Sequence, residues 1–91
     1  MRMVAGYTLA WVVPAQDKAV YRELTALPEV KGVVLAYGVF DMLITIETED
    51  VEELDHVVFN MIRKIGGIVS TTTLIGVDKK RLDGITSLIA F

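Results

Sequence analysis

Two short stretches of this chain carry side chains that could do chemistry. In the first, Gly38-Val39-Phe40-Asp41, a carboxylate opens an otherwise apolar run, Met42, Leu43, Ile44, Thr45, Ile46. An Asp placed there either hydrogen-bonds the amides of the turn that Gly38 marks or faces a ligand. In the second, Thr71-Thr72-Thr73, hydroxyls at i and i+2 share one face of a strand and can donate or accept. The β-propensity of Thr explains the same residues without a ligand.

The remaining polar residues point to structure more than to catalysis. His56 is the only His. Four residues on, where a second metal ligand would share its helix face, stands Asn60, so His56 reads as a solvated helix residue. Glu47, Glu49, Asp50, Glu52, Glu53 and Asp55 cluster without the loop spacing of a calcium site and read as helix capping and solvation. Trp11 reads as core or interface. No metal and no cofactor is expected.

The bulk numbers narrow the classes. A chain of 91 residues is one domain, with a modest core that oligomerisation often supplements. There is no Cys, which suits the cytoplasm. No apolar run nears the ~18 residues of a membrane span, and the opening stretch lacks the long apolar core and cleavage pattern of a signal peptide. With 9 basic against 12 acidic residues, no cationic stripe is available for phosphates. The apolar share is about 57% when the 7 Gly are counted and the 3 Tyr are not, against about 45–50% for an average soluble domain. A dense core explains part of that surplus. A second buried surface, supplied by copies of the same chain, explains it better.

The elements that must position these residues follow from periodicity. Residues 5–13 are β-branched and aromatic and end at Pro14, a strand. Val20, Leu24 and Leu27 form the stripe of a helix over 15–27, stopped by Pro28. Residues 30–37 form a second strand and 40–48 a third. In the third, Phe40, Met42, Ile44, Ile46 and Thr48 share one face, which should meet the helices. Asp41, Leu43, Thr45 and Glu47 share the other. Asp50 and Glu53 resemble a capping box for a helix that runs to about Ile65 and ends at Gly66-Gly67. Residues 68–77 form the fourth strand. The order β-α-β-β-α-β predicts an α+β, ferredoxin-like fold: a four-stranded antiparallel sheet with both helices on one face. The single domain spans 1–91, with a core at about 5–77 and an apolar tail at 78–91. Ile85, Leu88, Ile89 and Phe91 should pack on their own or a neighbouring subunit. The face of the sheet away from the helices should be bare in a monomer and buried against another subunit.

This arrangement resembles the RAM domain, the effector-binding module of Lrp/AsnC transcription regulators. The resemblance covers about residues 5–77. It rests on the element order, on Leu27-Pro28-Glu29-Val30 leading into the second strand, on Gly38-x-x-Asp41, and on Thr71-x-Thr73. Tyr37 and Thr45 depart from the family pattern, and the first strand begins almost at Met1, so the resemblance is to the stand-alone RAM proteins that lack a DNA-binding domain. It implies amino-acid binding between subunits of a homodimer or a ring of dimers. Gly38, Val39, Phe40 and Asp41 would hold the ligand's backbone groups, with Thr71 and Thr73 as further ligand-binding candidates. A zwitterion needs an acceptor for its ammonium, which Asp41 can be, and donors for its carboxylate, which the amides of a Gly turn can be. The implied partners are the chain itself, the amino acid and a full-length Lrp/AsnC regulator, with no direct nucleic acid and no membrane. The alternative is a small dimeric α+β barrel enzyme of monooxygenase or isomerase type, for which Trp11, His56 and Asn60 would have to share a cleft.

Given the charge balance, the purified chain is expected to leave random-sequence duplex DNA unshifted in a gel at low salt. A salt-sensitive shift would contradict this reading.

Overall fold

The computed structural model describes residues 3–36 and 38–76. In chain order the elements are β1 (Val4–Val12), α1 (Asp17–Thr25), β2 (Val30–Leu35), β3 (Met42–Thr48), α2 (Val51–His56) with a continuation at Val57–Ile62, and β4 (Ile68–Gly76). The strands form one sheet in the order β2-β3-β1-β4, and every neighbouring pair is antiparallel. This is the expected ferredoxin-like α+β fold. The apolar tail expected to pack at 78–91 lies outside the described residues.

The core forms on the face that the helices cover. Val4, Ala10 and Val12 of β1 and Met42, Ile44 and Ile46 of β3 meet Val20 and Leu24 of α1 and Leu54, Val57, Val58 and Ile62 of the second helical segment. Alternation along the strands sends these side chains to one face. Each large apolar side chain buried this way contributes roughly 1.5–3 kcal/mol relative to exposure.

The helix boundaries differ from expectation. The first helix starts at Asp17, because the turn after Pro14 holds Ala15 at φ 72, outside the helical region. Leu27 lies past the helix end, yet still packs on the core. The second helix is α-helical only to His56 and continues as a π-helix over Val57–Ile62. Its bond from Arg63 N–H to Val58 O, 2.9 Å, spans five residues instead of four. The Asp50 cap is as expected: its Oδ1 accepts from Glu53 N–H at 2.7 Å. The Glu53 side chain reaches back to the N–H of Glu49 at 3.2 Å, one residue beyond the usual position.

Phe40 is a correction. Its even position suggested the helix face, but β3 begins at Met42, so the alternation does not extend to it. Phe40 packs instead on the opposite face, with Leu9, Ala5, Tyr7 and Leu43. That face is also less bare than expected. Ala5, Tyr7 and Leu43 are each only 5% exposed, whereas Val34 and Leu74 on the same face are 58% and 38% exposed.

The connection after the second helix depends on Gly67. It sits at φ +105, and a Cβ there would lie 2.8 Å from both Val20 Cγ2 and Gln16 Oε1. Its carbonyl accepts the Val13 N–H at 2.7 Å. Gly67→Ala is therefore expected to destabilise the domain by about 1–2 kcal/mol or more. That is a fall of roughly 4–8 °C in melting temperature per kcal/mol for a domain of this size, read by circular dichroism.

Candidate functional site

Asp41 sits where three strands stop. The last backbone pair of β1 with β3 is Ala10 with Met42, and the last pair of β2 with β3 is Leu35 with Met42. One residue further out, Asp41 N–H donates to Ala10 O at 2.9 Å and Asp41 O accepts from Ala36 N–H at 2.9 Å. Its side chain then continues where the backbone leaves: Oδ2 accepts from Val12 N–H at 2.8 Å. The carboxylate stands in for the carbonyl that the next rung of the ladder would have supplied. The turn-closing reading of Asp41 is thus realised with one oxygen. The other, Oδ1, has no hydrogen-bond partner among the described residues.

The loop before Asp41 is held at one further point. Trp11 Nε1–H donates to Val39 O at 2.6 Å. Gly38 has φ +143 with open space around it, a conformation that glycine adopts readily and other residues rarely do. The backbone N–H groups of Gly38, Val39 and Phe40 make no hydrogen bond among the described residues. Sequence reasoning missed the role of Trp11. The contact joins residues 28 apart in sequence, and no local pattern signals it.

Beside this loop, Asp41 lines a depression of about 250 Å³ with Val12, Val13, Pro14, Ala15, Asp17, Leu35 and Ala36. Asp17 brings a second carboxylate to the wall, and among the described residues neither Asp is ion-paired. The depression is apolar along its strand side and negative at two points, which suits a small cation-bearing molecule with some apolar surface.

The other two candidates lie elsewhere. Thr71 and Thr73 face the helix side of the edge strand β4. There they line a separate groove of about 260 Å³ with Asp55, Val58, Phe59, Arg63 and Ile75. The guanidinium of Arg63 stands 5.1 Å from the centre of the Phe59 ring. Thr73 Oγ1 bonds Oγ1 of the fully buried Thr8 at 2.9 Å, so this hydroxyl has a structural use. Within one chain, the structure brings Gly38, Val39, Phe40 and Asp41 together and does not bring the two Thr to them.

His56 and Asn60 bond each other on the exposed side of the helix, Nδ2 to Nδ1 at 2.9 Å, while the Trp11 indole is engaged by Val39. The three do not share a pocket among the described residues.

The four-stranded antiparallel sheet and its strand order β2-β3-β1-β4 define a domain of ferredoxin-like type. The sequence matches the family description "Lrp/AsnC ligand binding domain" over residues 12–81, and the chain belongs to that family. An uncharacterized HTH-type transcriptional regulator of Pyrococcus horikoshii is 33% identical over 76 residues, covering 78% of this chain and 48% of the relative. The chain thus spans about half the length of the curated relatives it matches. The crystal structure of a hypothetical protein from Pyrococcus horikoshii superposes with a TM-score of 0.78 at 31% identity, covering 82% of this chain and 90% of that one. A transcriptional regulator of Neisseria meningitidis, solved as a complex with L-Met, shares the fold with a TM-score of 0.69 at 16% identity, over 84% of this chain and 51% of that one. Both curated relatives are described as HTH-type transcriptional regulators, and the family the chain belongs to is a ligand-binding domain rather than the monooxygenase or isomerase of the alternative.

Removing the Asp41 side chain should orphan the Val12 N–H. Asp41→Ala is expected to lower stability by about 1–3 kcal/mol. Asp41→Asn, whose amide oxygen can still accept, should lose less. Urea denaturation of the two variants beside the parent chain measures the difference, and equal losses would show that the Val12 bond contributes nothing.

Proposed function

We propose that this domain binds a free amino acid at the 38–41 loop and does so as a homo-oligomer, acting as the effector-sensing part of Lrp/AsnC-type regulation. One observation carries the reading. Three consecutive amides, of Gly38, Val39 and Phe40, and one oxygen of the adjacent Asp41 carboxylate have no partner among the described residues. A ligand that satisfies both must carry an anionic and a cationic group close together, as an α-amino acid does. Its ammonium would bond Asp41 Oδ1, with Asp17 adding to the negative potential, and its carboxylate would take the amides. The family description as a ligand-binding domain supports an effector. The L-Met complex of the Neisseria meningitidis regulator shows one protein of this fold in complex with an amino acid. Thr71 and Thr73 are proposed as contacts that a ligand could reach only from another subunit, since they are remote from the loop within one chain.

The oligomer reading has its own support. Val34 and Leu74 leave apolar surface on the sheet face away from the helices, and the composition is more apolar than a domain of this size needs. Its copies, the amino acid and a full-length regulator of the same family are the proposed partners, and the cytoplasm the proposed compartment. No helix among the described residues is long and apolar enough to cross a membrane.

Native mass spectrometry should show at least two subunits and any amino acid retained through purification. Calorimetric titration against the common amino acids should then find at least one that binds. Asp41→Asn should weaken it roughly tenfold to a hundredfold, because a charge-assisted hydrogen bond contributes on the order of 1.5–3 kcal/mol. A monomer at micromolar concentration would sink the oligomer, and an undiminished affinity in the Asn variant would remove Asp41 from the site.

A further inference from the structure

We infer that Trp11 is a positioning residue for the 38–41 loop: its indole fixes the peptide between Val39 and Phe40 so that the Phe40 N–H is held ready for a ligand's carboxylate. This rests on the effector reading of that loop. The Phe40 side chain packs on Ala5, Tyr7 and Leu43, but the Gly38-Val39 part of the loop has little else to hold it. Gly38 stands at φ +143 with no heavy atom near where a Cβ would be, and the Val39 side chain is 83% exposed. Val39 is held by its carbonyl, which accepts from Trp11 Nε1–H at 2.6 Å. A trans peptide is planar, and its C=O and N–H point in opposite directions. Tying the Val39 carbonyl to the indole therefore turns the Phe40 N–H away from it. That amide has no partner among the described residues, and the next residue is Asp41.

Three successive residues of β1 thus share the work. Ala10 O accepts from Asp41 N–H, Trp11 Nε1–H donates to Val39 O, and Val12 N–H donates to Asp41 Oδ2. The first and last of these fix the acceptor for an ammonium. The middle one fixes the donor for a carboxylate. Only an indole supplies both a flat apolar body and a single N–H at its edge without adding a charge beside Asp41. Phe in its place keeps the ring and removes the donor.

Trp11 is the only tryptophan in the chain, so its emission reports on the loop directly. The test titrates the parent chain with the amino acid that calorimetry selects, following tryptophan emission, and repeats calorimetry on Trp11→Phe with thermal melts alongside. The expected result is an emission change that saturates with the calorimetric affinity, and a three- to tenfold weaker affinity in Trp11→Phe with the melting temperature nearly kept. In a double-mutant cycle with Asp41→Asn the two losses should not add, since both act on one loop. Unchanged affinity in Trp11→Phe, or emission that ignores a bound ligand, overturns the proposal. If no amino acid binds the parent chain, the effector reading fails first. Hydrogen exchange then judges the clasp alone: faster exchange of the Asp41 amide in Trp11→Phe supports it, and unchanged exchange overturns it.

Discussion

The carboxylate of Asp41 continues the β1–β3 ladder one rung past its last backbone pair, and the geometry of the loop follows from that bond. A hairpin between β2 and β3 could close in many ways. Here the closing residue is bonded on both sides, to Ala10 of β1 and to Ala36 after β2, and its side chain adds Val12. Each bond alone is worth about 1 kcal/mol net. Their joint effect is geometric: three chain segments that end together cannot shift separately. The loop from Gly38 to Phe40 is then suspended between a fixed Asp41 and the end of β2, with Trp11 as an additional tether.

The sheet has two faces with different tasks. The helix side is closed by residues that local periodicity places there, and it holds the domain together. The other side has a buried centre at Ala5, Tyr7 and Leu43 and exposed apolar flanks at Val34 and Leu74. Phe40 joins that centre, so the loop is continuous with the face on which the surplus apolar surface lies. The proposed ligand site and the sheet face are therefore adjacent, with Asp41 at the edge of one and Phe40 packed on the other.

Much of this was legible in the sequence. Alternation put Met42, Ile44 and Ile46 on the helix side, the stripe of Val20 and Leu24 located the first helix, and Asp50 with Glu53 marked the start of the second. These are local signals, and a helix or strand of ordinary length must obey them. Phe40 was misplaced because alternation was carried past the point where the strand begins. The π-helical continuation was invisible because Leu54, Val57, Val58, Met61, Ile62 and Ile65 form an apolar stripe that a continuous α-helix would bury equally well. The Gly-x-x-Asp loop was legible as a loop, but not its tether to Trp11, nor the bond of Thr73 to Thr8. Those contacts join strands far apart in sequence, and one sequence without the fold contains no signal for them.

A carboxylate that braces the fold is not thereby unavailable for the proposed ligand. An Asp free at both oxygens samples several rotamers, and binding an ammonium would cost the entropy of choosing one. Asp41 has that choice made already: Oδ2 is held on Val12 N–H, so Oδ1 points in a fixed direction before any ligand arrives. The same holds for the Phe40 amide, since the Val39 carbonyl is engaged and the peptide they share cannot turn without breaking that bond. Bonds that look purely structural would thus lower the entropic cost of binding the proposed ligand. Asn could brace the ladder through its one oxygen, but it would then present an amide nitrogen where the proposed ligand's ammonium would go. A second oxygen, and the charge that comes with it, is what distinguishes Asp at this position from a residue that merely closes a turn.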